Sequence, residues 1–217
     1  YGYVSIDKSG MYISNQTGKT STLHWGFYRC PDKIKLDYDF GYLIGLFIAE
    51  GSTSKTGAVQ FAIASYEEEV ANKIKSAIRN VFGDVKITVK DHERHRKVVR
   101  FCMKPFAKWL RDSVGHNAHG KRIPIELIHS NDDCRCGLIK GLFDGDGWYG
   151  LNYKRPMITY ATVSSVLAYQ IVRLLESRYR IPCSLSKRRQ KGGFGGGEIY
   201  VIAVSGRGLS SLCKLLG

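Results

Sequence analysis

The apolar positions along this chain follow a helical period in some stretches and a strand-like alternation in others. An apolar helix is predicted from Tyr38 to Glu50, followed by a short strand. The elements predicted after it are a strand over Ala58 to Ala64, a helix over Tyr66 to Phe82, strands over Val85 to Lys90 and Lys97 to Met103, and a helix over Phe106 to Val114. The order is helix, strand, strand, helix, strand, strand, helix.

The second half of the chain repeats this order after a helix that ends at Asp146. The elements predicted there are strands over Trp148 to Tyr153 and Met157 to Val163, a helix over Ser164 to Arg180, strands over Cys183 to Lys187 and Glu198 to Ser205, and a helix over Leu209 to Leu216. A basic turn lies between the third and fourth strands of both halves. The sequence therefore predicts an internal repeat.

The two halves share a short sequence at the end of their first helices. Residues 43–51 read LIGLFIAEG and residues 139–147 read IKGLFDGDG, an offset of 96 positions (139 minus 43). In each copy two small residues stand four positions apart, Gly45 with Ala49 and Gly141 with Gly145. Because this spacing leaves one helix face without bulky side chains, the two helices are predicted to pack backbone against backbone.

Each of these helices is predicted to end in an acid, Glu50 or Asp146, followed by a glycine in the left-handed capping conformation. If the helices pair, the two carboxylates come together where both helix dipoles contribute negative potential. They would repel each other without a cation, so the pattern predicts a divalent-metal site. The simpler alternative, an apolar helix that happens to end in an acid, explains one copy but not two copies with the same spacing.

The composition favours a polyanionic partner. Lysine and arginine exceed aspartate and glutamate by 14, and aromatic residues make up 12% of the chain, a balance typical of nucleic-acid-binding proteins. The six cysteines lack the regular spacing of a disulfide framework, which predicts reduced thiols in an intracellular protein. No apolar run is long enough for a membrane span, and the start at Tyr1 suggests a piece of a longer product.

Four regions are predicted along the chain. Residues 1–37 form an amino-terminal extension of strands or hairpins with no readable function, residues 38–115 the first half, residues 116–132 a linker, and residues 133–217 the second half. Each half is expected to be an antiparallel sheet with helices on one face only, so the other face is open. Since ten strand residues span about 33 Å and a base pair rises about 3.4 Å, the two halves could follow a duplex of roughly twenty base pairs.

The doubled motif and its flanking elements resemble the LAGLIDADG homing endonucleases in their single-chain, two-motif form, over about Tyr38 to Gly217. The resemblance implies an α+β fold in which two pseudo-symmetric αββαββα halves form a DNA-binding saddle around the central motif helices. It implies a monomer that makes a double-strand break in DNA. It also implies that Glu50 and Asp146 bind Mg²⁺, with Mn²⁺ able to substitute and Ca²⁺ able to bind without supporting cleavage.

The resemblance assigns roles to some further residues. Lys104, just before a helix at the end of the fourth strand, matches a lysine that polarises the attacking water or stabilises the charge on the phosphate, while the second half has Ser205, Gly206 and Arg207 there and lacks the lysine. Asp144 corresponds to Ile48, so it is not expected to bind the metal. A polar position on the second strand of the family falls near Ile63 and Thr162, which leaves that role unassigned.

The residues predicted to contact DNA are one side chain on the second strand of the first half and two clusters on and beside the basic turns. They are Gln60, Lys90, Arg94, Arg96, Lys97, Arg100, Lys187, Arg188, Arg189 and Lys191.

Two other functions compete with an endonuclease encoded in an intron or an intein. The chain also resembles the endonuclease portion of inteins, but Tyr1 and Leu216-Gly217 do not supply the residues that splicing needs, so self-splicing is not expected. A non-cleaving nucleic-acid-binding protein on the same scaffold, such as an RNA maturase or a transcriptional regulator, would be expected to lose the acids. A small α+β enzyme unrelated to nucleic acid would leave the positive charge unexplained.

Overall fold

The structure is a computed structural model that describes residues 3–7, 10–14, 22–25, 28–92, 95–152, 154–189 and 197–217. Among these residues, no helix has both the length and the apolar composition needed to cross a membrane.

The described residues form seven α-helices and thirteen strands. The helices are α1 (Tyr38–Glu50), α2 (Glu68–Phe82), α3 (Lys104–Val114), α4 (Ile125–Ile128), α5 (Asp132–Asp146), α6 (Ser165–Tyr179) and α7 (Arg207–Leu216). The strands are β1 (Tyr3–Asp7), β2 (Gly10–Ser14), β3 (Thr22–Trp25), β4 (Tyr28–Pro31), β5 (Lys33–Lys35), β6 (Gly51–Thr53), β7 (Ala58–Ala64), β8 (Ile87–His92), β9 (Arg96–Cys102), β10 (Gly147–Asn152), β11 (Arg155–Thr162), β12 (Ser184–Arg189) and β13 (Glu198–Ser205).

The two halves have the same topology. The sheet of the first half has the strand order β6-β7-β9-β8, and that of the second half has the order β10-β11-β13-β12, with antiparallel pairing throughout. The predicted α+β class and the order αββαββα are confirmed. The amino-terminal residues add a three-stranded sheet (β2-β1-β5) and the hairpin β3-β4. This agrees with the prediction of strands or hairpins in residues 1–37.

The chain divides into two compact units. The first contains residues 1–113 and 124–145, and the second contains residues 114–123 and 146–217. Helix α5 therefore belongs almost entirely to the first unit, although it opens the second half of the sequence repeat. The predicted linker is structured: a turn of 3₁₀ helix covers Ala118–Gly120, and α4 follows it.

Aromatic side chains fill the core of the first unit. Phe106 at the start of α3 lies 4.8 Å from Phe82 of α2, 6.1 Å from Phe101 of β9 and 6.3 Å from Phe40 of α1, measured between ring centroids. These four rings are almost completely buried. Contacts of this size contribute much of the burial that stabilises a domain, and here they fix the helices on one face of the sheet.

The core of the second unit is mainly aliphatic, with the buried ring of Tyr160 as an exception. Ile158 and Val204 project from the central strands towards the helices, where Ile171 and Leu175 of α6 and Leu212 of α7 are also buried. Alternate positions on the same strands, such as Thr159 and Ala203, are partly exposed. Each sheet therefore has a helix-covered face and an open face, as the alternation of the sequence predicts.

Side chains from both motif helices hold the helix starts together. The Asp37 side chain caps α1 by accepting the Phe40 amide (3.1 Å), and the Asn131 side chain caps α5 by accepting the Cys134 amide (2.8 Å). Asp133 of α5 also accepts the Tyr38 amide of α1 at 3.0 Å. Each cap acts within its own helix, and the bond from the Tyr38 amide to Asp133 joins the two helix starts, which fixes the residues that stand opposite each other there.

The small residues of α1 and α5 bring the two backbones into direct contact. A Cβ atom built on Gly45 would overlap the Leu138 carbonyl oxygen and lie 2.8 Å from the Leu142 amide nitrogen. A Cβ on Gly141 would meet the Tyr42 carbonyl and the Leu46 amide nitrogen in the same way. The same holds for Gly41 and Gly137, one turn earlier. The predicted contact between helix faces without bulky side chains is therefore confirmed, and it extends one turn beyond the motif.

The prediction of left-handed capping glycines is wrong. Gly51 has φ −89° and ψ 151°, and Gly147 is not among the residues with positive φ. Both glycines instead start a strand, β6 or β10. At Gly51 the requirement is space, because a Cβ there would overlap the Phe47 ring and its carbonyl oxygen. The chain thus leaves each motif helix directly into the sheet.

The helix contact predicts a large destabilisation from one added methyl group. We expect Gly141→Ala to lower the free energy of unfolding by about 3 kcal/mol, because backbone atoms that cannot move independently would have to separate. The control is Gly120→Ala, where φ is not positive and a Cβ meets only the Asn117 side-chain oxygen, at 3.2 Å, so a loss below about 1 kcal/mol is expected. Denaturant unfolding of both variants tests this, and equal losses would contradict it.

Candidate metal and nucleic-acid site

Glu50 and Asp146 are the last residues of α1 and α5. Neither helix has a basic residue in its last turn, so the negative end of each helix dipole is uncompensated there. Within the first unit, the end of α5 lies against the end of α1: a Cβ on Gly145 would overlap the Ala49 Cβ and lie 3.3 Å from Glu50 Cγ. Asp146 is the next residue after Gly145 along the chain.

The surroundings of Asp146 shift the pKa of its carboxyl group. Although solvent reaches this side chain, the protein around it removes part of its hydration, and this desolvation raises the pKa of the Asp146 carboxyl above its ordinary value. The positive charge of Lys121 and a hydrogen bond from the Tyr160 hydroxyl, 3.4 Å from Oδ2, act in the opposite direction. A carboxyl with this balance gains from a cation that neutralises it.

Tyr160 and Lys121 are site residues that the sequence analysis missed. Tyr160 is fully buried and pairs with Gly147 across the β10-β11 hairpin, so the register of that hairpin could have indicated it. Lys121 lies in the segment 114–123, which the Ser164 hydroxyl holds by donating to the Lys121 carbonyl oxygen at 2.6 Å. Gln170 of α6 adds a pair of hydrogen bonds to Ile123, at 2.8 and 2.9 Å. No sequence pattern indicates such a tertiary contact.

The donor chemistry at the helix ends suits Mg²⁺. Mg²⁺ prefers oxygen ligands and typically uses one or two protein carboxylates together with waters and substrate phosphates. Within the described ranges, no group of three or more His, Cys, Asp or Glu side chains could enclose a metal ion. Glu50 and Asp146 are each single carboxylates at a helix end, the kind of ligand that contributes to an open Mg²⁺ site completed by waters and substrate oxygens.

Lys104 is the first residue of α3 and its side chain is exposed. The adjoining backbone is fixed, because the Met103 amide donates to the Gly57 carbonyl oxygen at 3.0 Å. Gly57 has φ 87°, and a Cβ there would overlap the Lys104 stem. In the second half, pairing places Ser205 where the first half has Cys102, so the position that corresponds to Lys104 is Arg207, the first residue of α7.

Asp144 is held by side chains of three helices. It accepts a hydrogen bond from the Tyr42 hydroxyl of α1 (3.1 Å) and forms ion pairs with Lys140 of α5 (2.7 Å) and Lys73 of α2 (3.7 Å). The Lys73 amine also lies 5.7 Å from the centroid of the Tyr42 ring. Burial and the adjacent Asp144 charge raise the pKa of Tyr42, so the phenol stays protonated as the donor. Asp144 thus connects the helices, a structural role separate from that of Asp146.

The open face of the first sheet collects several of the predicted DNA contacts. Gln60 pairs with Arg100, and Arg100 pairs with Thr88, so these three side chains form a row across the sheet. Lys90 lies on the same face in the next row, and Arg96 in the row after that, beside His92. Thr88 and His92 were not predicted, although the strand alternation could have indicated both.

Lys97 projects to the other face of this sheet. It pairs with Ile63 and lies between the outward-facing Arg96 and Val98. Lys97 as a whole is 8% exposed, and its side chain forms an ion pair with Glu68 at the start of α2. Each partner shifts the other: the hydrogen bond lowers the pKa of Glu68 and raises that of Lys97. Lys97 therefore stabilises the sheet–helix packing and is left out of the candidate interface.

The predicted DNA contacts on the second sheet lie on both of its faces. Arg188 pairs with Ile199 on the open face, whereas Lys187 and Arg189 alternate with it and project to the helix-covered side. Lys187 forms an ion pair with Glu198 at 2.7 Å, and its amine lies 5.9 Å from the centroid of the Tyr200 ring. Arg94 and Lys191 lie outside the described residues.

Solved structures show that the fold has relatives. The crystal structure of the homing endonuclease I-DmoI in complex with DNA and Ca is similar with a TM-score of 0.58 at 16% identity, covering 83% of this chain and 90% of that one. The N-terminal LAGLIDADG domain of DUF199/WhiA is similar with a TM-score of 0.56 at 12% identity, covering 84% and 83%. At these identities the likeness concerns the fold.

Sequence comparison gives a nearer relative and the family. The chain is 44% identical over 211 residues to the ATP-dependent DNA helicase Hel308 of Thermococcus kodakarensis, a match that covers 95% of this chain and 19% of the helicase. The chain thus spans about a fifth of the length of that relative. The profile of the LAGLIDADG-like domain matches twice, over residues 37–135 and 133–217. Since the two matches together cover residues 37–217 and each contains one copy of the motif, the chain belongs to the LAGLIDADG-like family.

Proposed function

We propose that this chain is a divalent-metal-dependent homing endonuclease that makes a double-strand break in a long DNA target, on the order of twenty base pairs. The observation that carries the proposal is the pairing of two glycine-faced helices that both end in an acid, one of which has a raised pKa. Because both motif copies lie in one chain, the active species is proposed to be a monomer.

The chemistry is phosphodiester hydrolysis. A divalent cation at the site, when bound, supplies charge neutralisation and a water of lowered pKa. Glu50 and Asp146 are the carboxylates proposed to hold it, each at an uncompensated helix end. Tyr160 orients the Asp146 carboxylate by its hydrogen bond. Lys104 is proposed to orient the attacking water or to stabilise negative charge on the phosphate, and Arg207 takes the corresponding place in the second half.

The open sheet faces are proposed to lie in the major groove, the groove that presents a distinct pattern for each base pair. Described strands of up to eight residues follow about 26 Å, or roughly eight base pairs. Gln60, Lys90, Arg96 and Arg100 are the proposed contacts of the first sheet, and Arg188 that of the second. Arg94 and Lys191 on the hairpin turns remain predicted contacts.

The relatives support this proposal in two ways. I-DmoI, whose fold is similar, is a homing endonuclease with structures in complex with DNA and Ca or Mn. The match to Hel308 covers nearly the whole of this chain but a small part of the helicase, as expected for an endonuclease segment carried inside a host protein. We therefore favour an intein-associated segment over an intron-encoded enzyme.

The second candidate function is a non-cleaving nucleic-acid-binding protein on the same scaffold. The similarity to the LAGLIDADG domain of DUF199/WhiA keeps this candidate open. The retained Glu50 and Asp146 favour the endonuclease, because a protein that only binds has no need of two acids at the end of the helix pair.

Removing either acid should separate binding from cleavage. We expect Glu50→Gln and Asp146→Asn each to lower Mg²⁺-dependent plasmid cleavage about a thousandfold or more, because the charge that holds the cation is lost. Binding to the same DNA in a gel-shift assay should persist. Tight binding by the unaltered chain without cleavage in Mg²⁺ or Mn²⁺ would favour the non-cleaving protein.

The raised pKa of Asp146 predicts a stability effect in the absence of metal. The folded state holds the proton of this carboxyl more tightly than the unfolded state, so the folded state loses stability as pH rises through the folded-state pKa. At pH 7 we therefore expect Asp146→Asn to raise the melting temperature in a chelating buffer, and the difference to vanish in acid. The control is Asp112→Asn, an exposed residue paired with Lys108, which should not raise it.

Lys104 should affect the chemical step more than DNA binding. We expect Lys104→Gln to slow single-turnover cleavage about a hundredfold by removing a positive charge that acts on the reacting phosphate, with DNA affinity falling by less than about tenfold. The matched control is Lys108→Gln on the same helix, whose exposed ion pair with Asp112 lies one turn away. Equal effects of the two substitutions on the cleavage rate would contradict a catalytic role.

A further inference from the structure

The open faces of the two sheets can be compared residue by residue, because both sheets have the same strand order and pairing. Gly51 pairs with Phe61 at the start of the first sheet, and Gly147 pairs with Tyr160 at the start of the second. Because the pairing continues in the same register from these two pairs, positions on one open face correspond to positions on the other. The residue types are the same at two of the compared positions, where Ala62 corresponds to Ala161 and Val98 to Val201, and they differ at the others.

The first sheet presents long polar and charged side chains at these positions. One row contains Ser52, Gln60, Arg100 and Thr88; the next contains Ala62, Val98 and Lys90; the third contains Ala64, Arg96 and His92. Arginine and lysine pair with guanine, and glutamine with adenine, when such side chains reach the major groove. This face is therefore suited to reading a mixed sequence by hydrogen bonds.

The second sheet replaces most of these side chains with short or apolar ones. The row that corresponds to the first contains Trp148, Thr159, Ala203 and Ser184; the next contains Ala161, Val201 and Ser186; the third contains Ile199 and Arg188. Ala203 thus stands where the first sheet has Arg100, Ser186 where it has Lys90, and Ile199 where it has Arg96. Of these nine residues of the second sheet, only Arg188, which corresponds to His92, carries a full positive charge.

These apolar positions are accessible rather than covered. Thr159, Ala161, Val201 and Ala203 are partly exposed, and Trp148 is 50% exposed. The indole lies along the strand over Gly150, where a Cβ would overlap the ring. Helices α6 and α7 pack on the other face of the sheet, so the second unit itself leaves this face open.

We propose that the second sheet reads an A·T-rich half-site through apolar contacts with thymine methyl groups. Thymine is the base that presents a methyl group in the major groove, and alanine and the threonine methyl are side chains that contact it. DNA is the proposed partner of the second sheet because the corresponding face of the first sheet carries side chains suited to DNA. These are Gln60, Lys90, Arg96 and Arg100. The inference rests on the proposed function and adds that the two half-sites differ in composition.

The test uses the full chain and duplexes from which methyl groups are removed one at a time. Targets are first selected by cleavage from a randomised duplex library. We expect one half-site to be enriched in A·T pairs and the other to contain G·C pairs. Replacing thymine by deoxyuracil in the A·T-rich half should then weaken binding about fourfold for each contacted methyl, while the same replacement in the other half changes affinity less than twofold.

Substitutions assign the effect to the second sheet. Thr159→Ser removes a methyl group at the position where the first sheet has Gln60. It should reduce affinity and remove the sensitivity to deoxyuracil at one position, whereas Val166→Ser, at an exposed valine of α6, should do neither. Ala203→Arg copies the first sheet at that position and should shift the selected base pair there towards guanine. Arg100→Ala makes the reverse change and should weaken the guanine preference at one position of the other half-site.

Each outcome bears on one of the two proposals. A recovered target without an A·T-rich half, or one whose binding ignores deoxyuracil in both halves, overturns this inference and leaves the endonuclease standing. Retained deoxyuracil sensitivity in Thr159→Ser and Ala203→Arg together also overturns it, because the methyl contacts would then come from elsewhere. Recovery of no target at all overturns the proposed function, and the inference with it.

Discussion

The contact between the backbones of α1 and α5 is the constraint on which the rest of the first unit depends. Glycines at four-residue spacing let the carbonyl oxygens and amide nitrogens of one helix occupy the space that side chains would fill on the other. Because the contact runs through the backbones, neither helix can rotate or slide without a clash. The bonds at the helix starts and the Asp144 cluster at its side hold the same register, so the ends of the two helices are fixed in advance of any ligand.

The chemistry at Asp146 has an energetic cost that the fold tolerates. A carboxylate at the end of a helix, partly stripped of water and without a basic residue in the last turn, is unfavourable in the metal-free state. Tyr160 and Lys121 reduce this cost without removing it. If they neutralised the acid completely, a cation would gain little by binding there. A raised pKa is therefore compatible with a ligand that must bind, act and leave.

The sequence predicted the elements and their order because apolar periodicity and chain length determine them locally. It also predicted the helix contact, because a helix face without bulky side chains in both copies favours close packing of the two helices. It did not predict that Gly51 and Gly147 start strands, because a glycine after a helix suits several backbone conformations. Nor did it separate Arg188 from Lys187 and Arg189: the face to which a strand residue projects depends on register, and a shift by one position reverses it.

The contrast between the two open faces has a physical origin in the repeat. On the covered face, a substitution must fit the core, so Phe61 and Tyr160, or Val99 and Ile202, stay large and apolar at corresponding positions. On the open face no packing requirement applies, so Arg100 can correspond to Ala203 without any effect on the core. Two copies of one scaffold can therefore keep identical topology while their outer faces diverge as far as a bound partner allows. The small residues of the motif helices are kept in both copies, whereas the open faces of the two sheets differ, because the helix contact imposes a packing requirement that the open faces do not have.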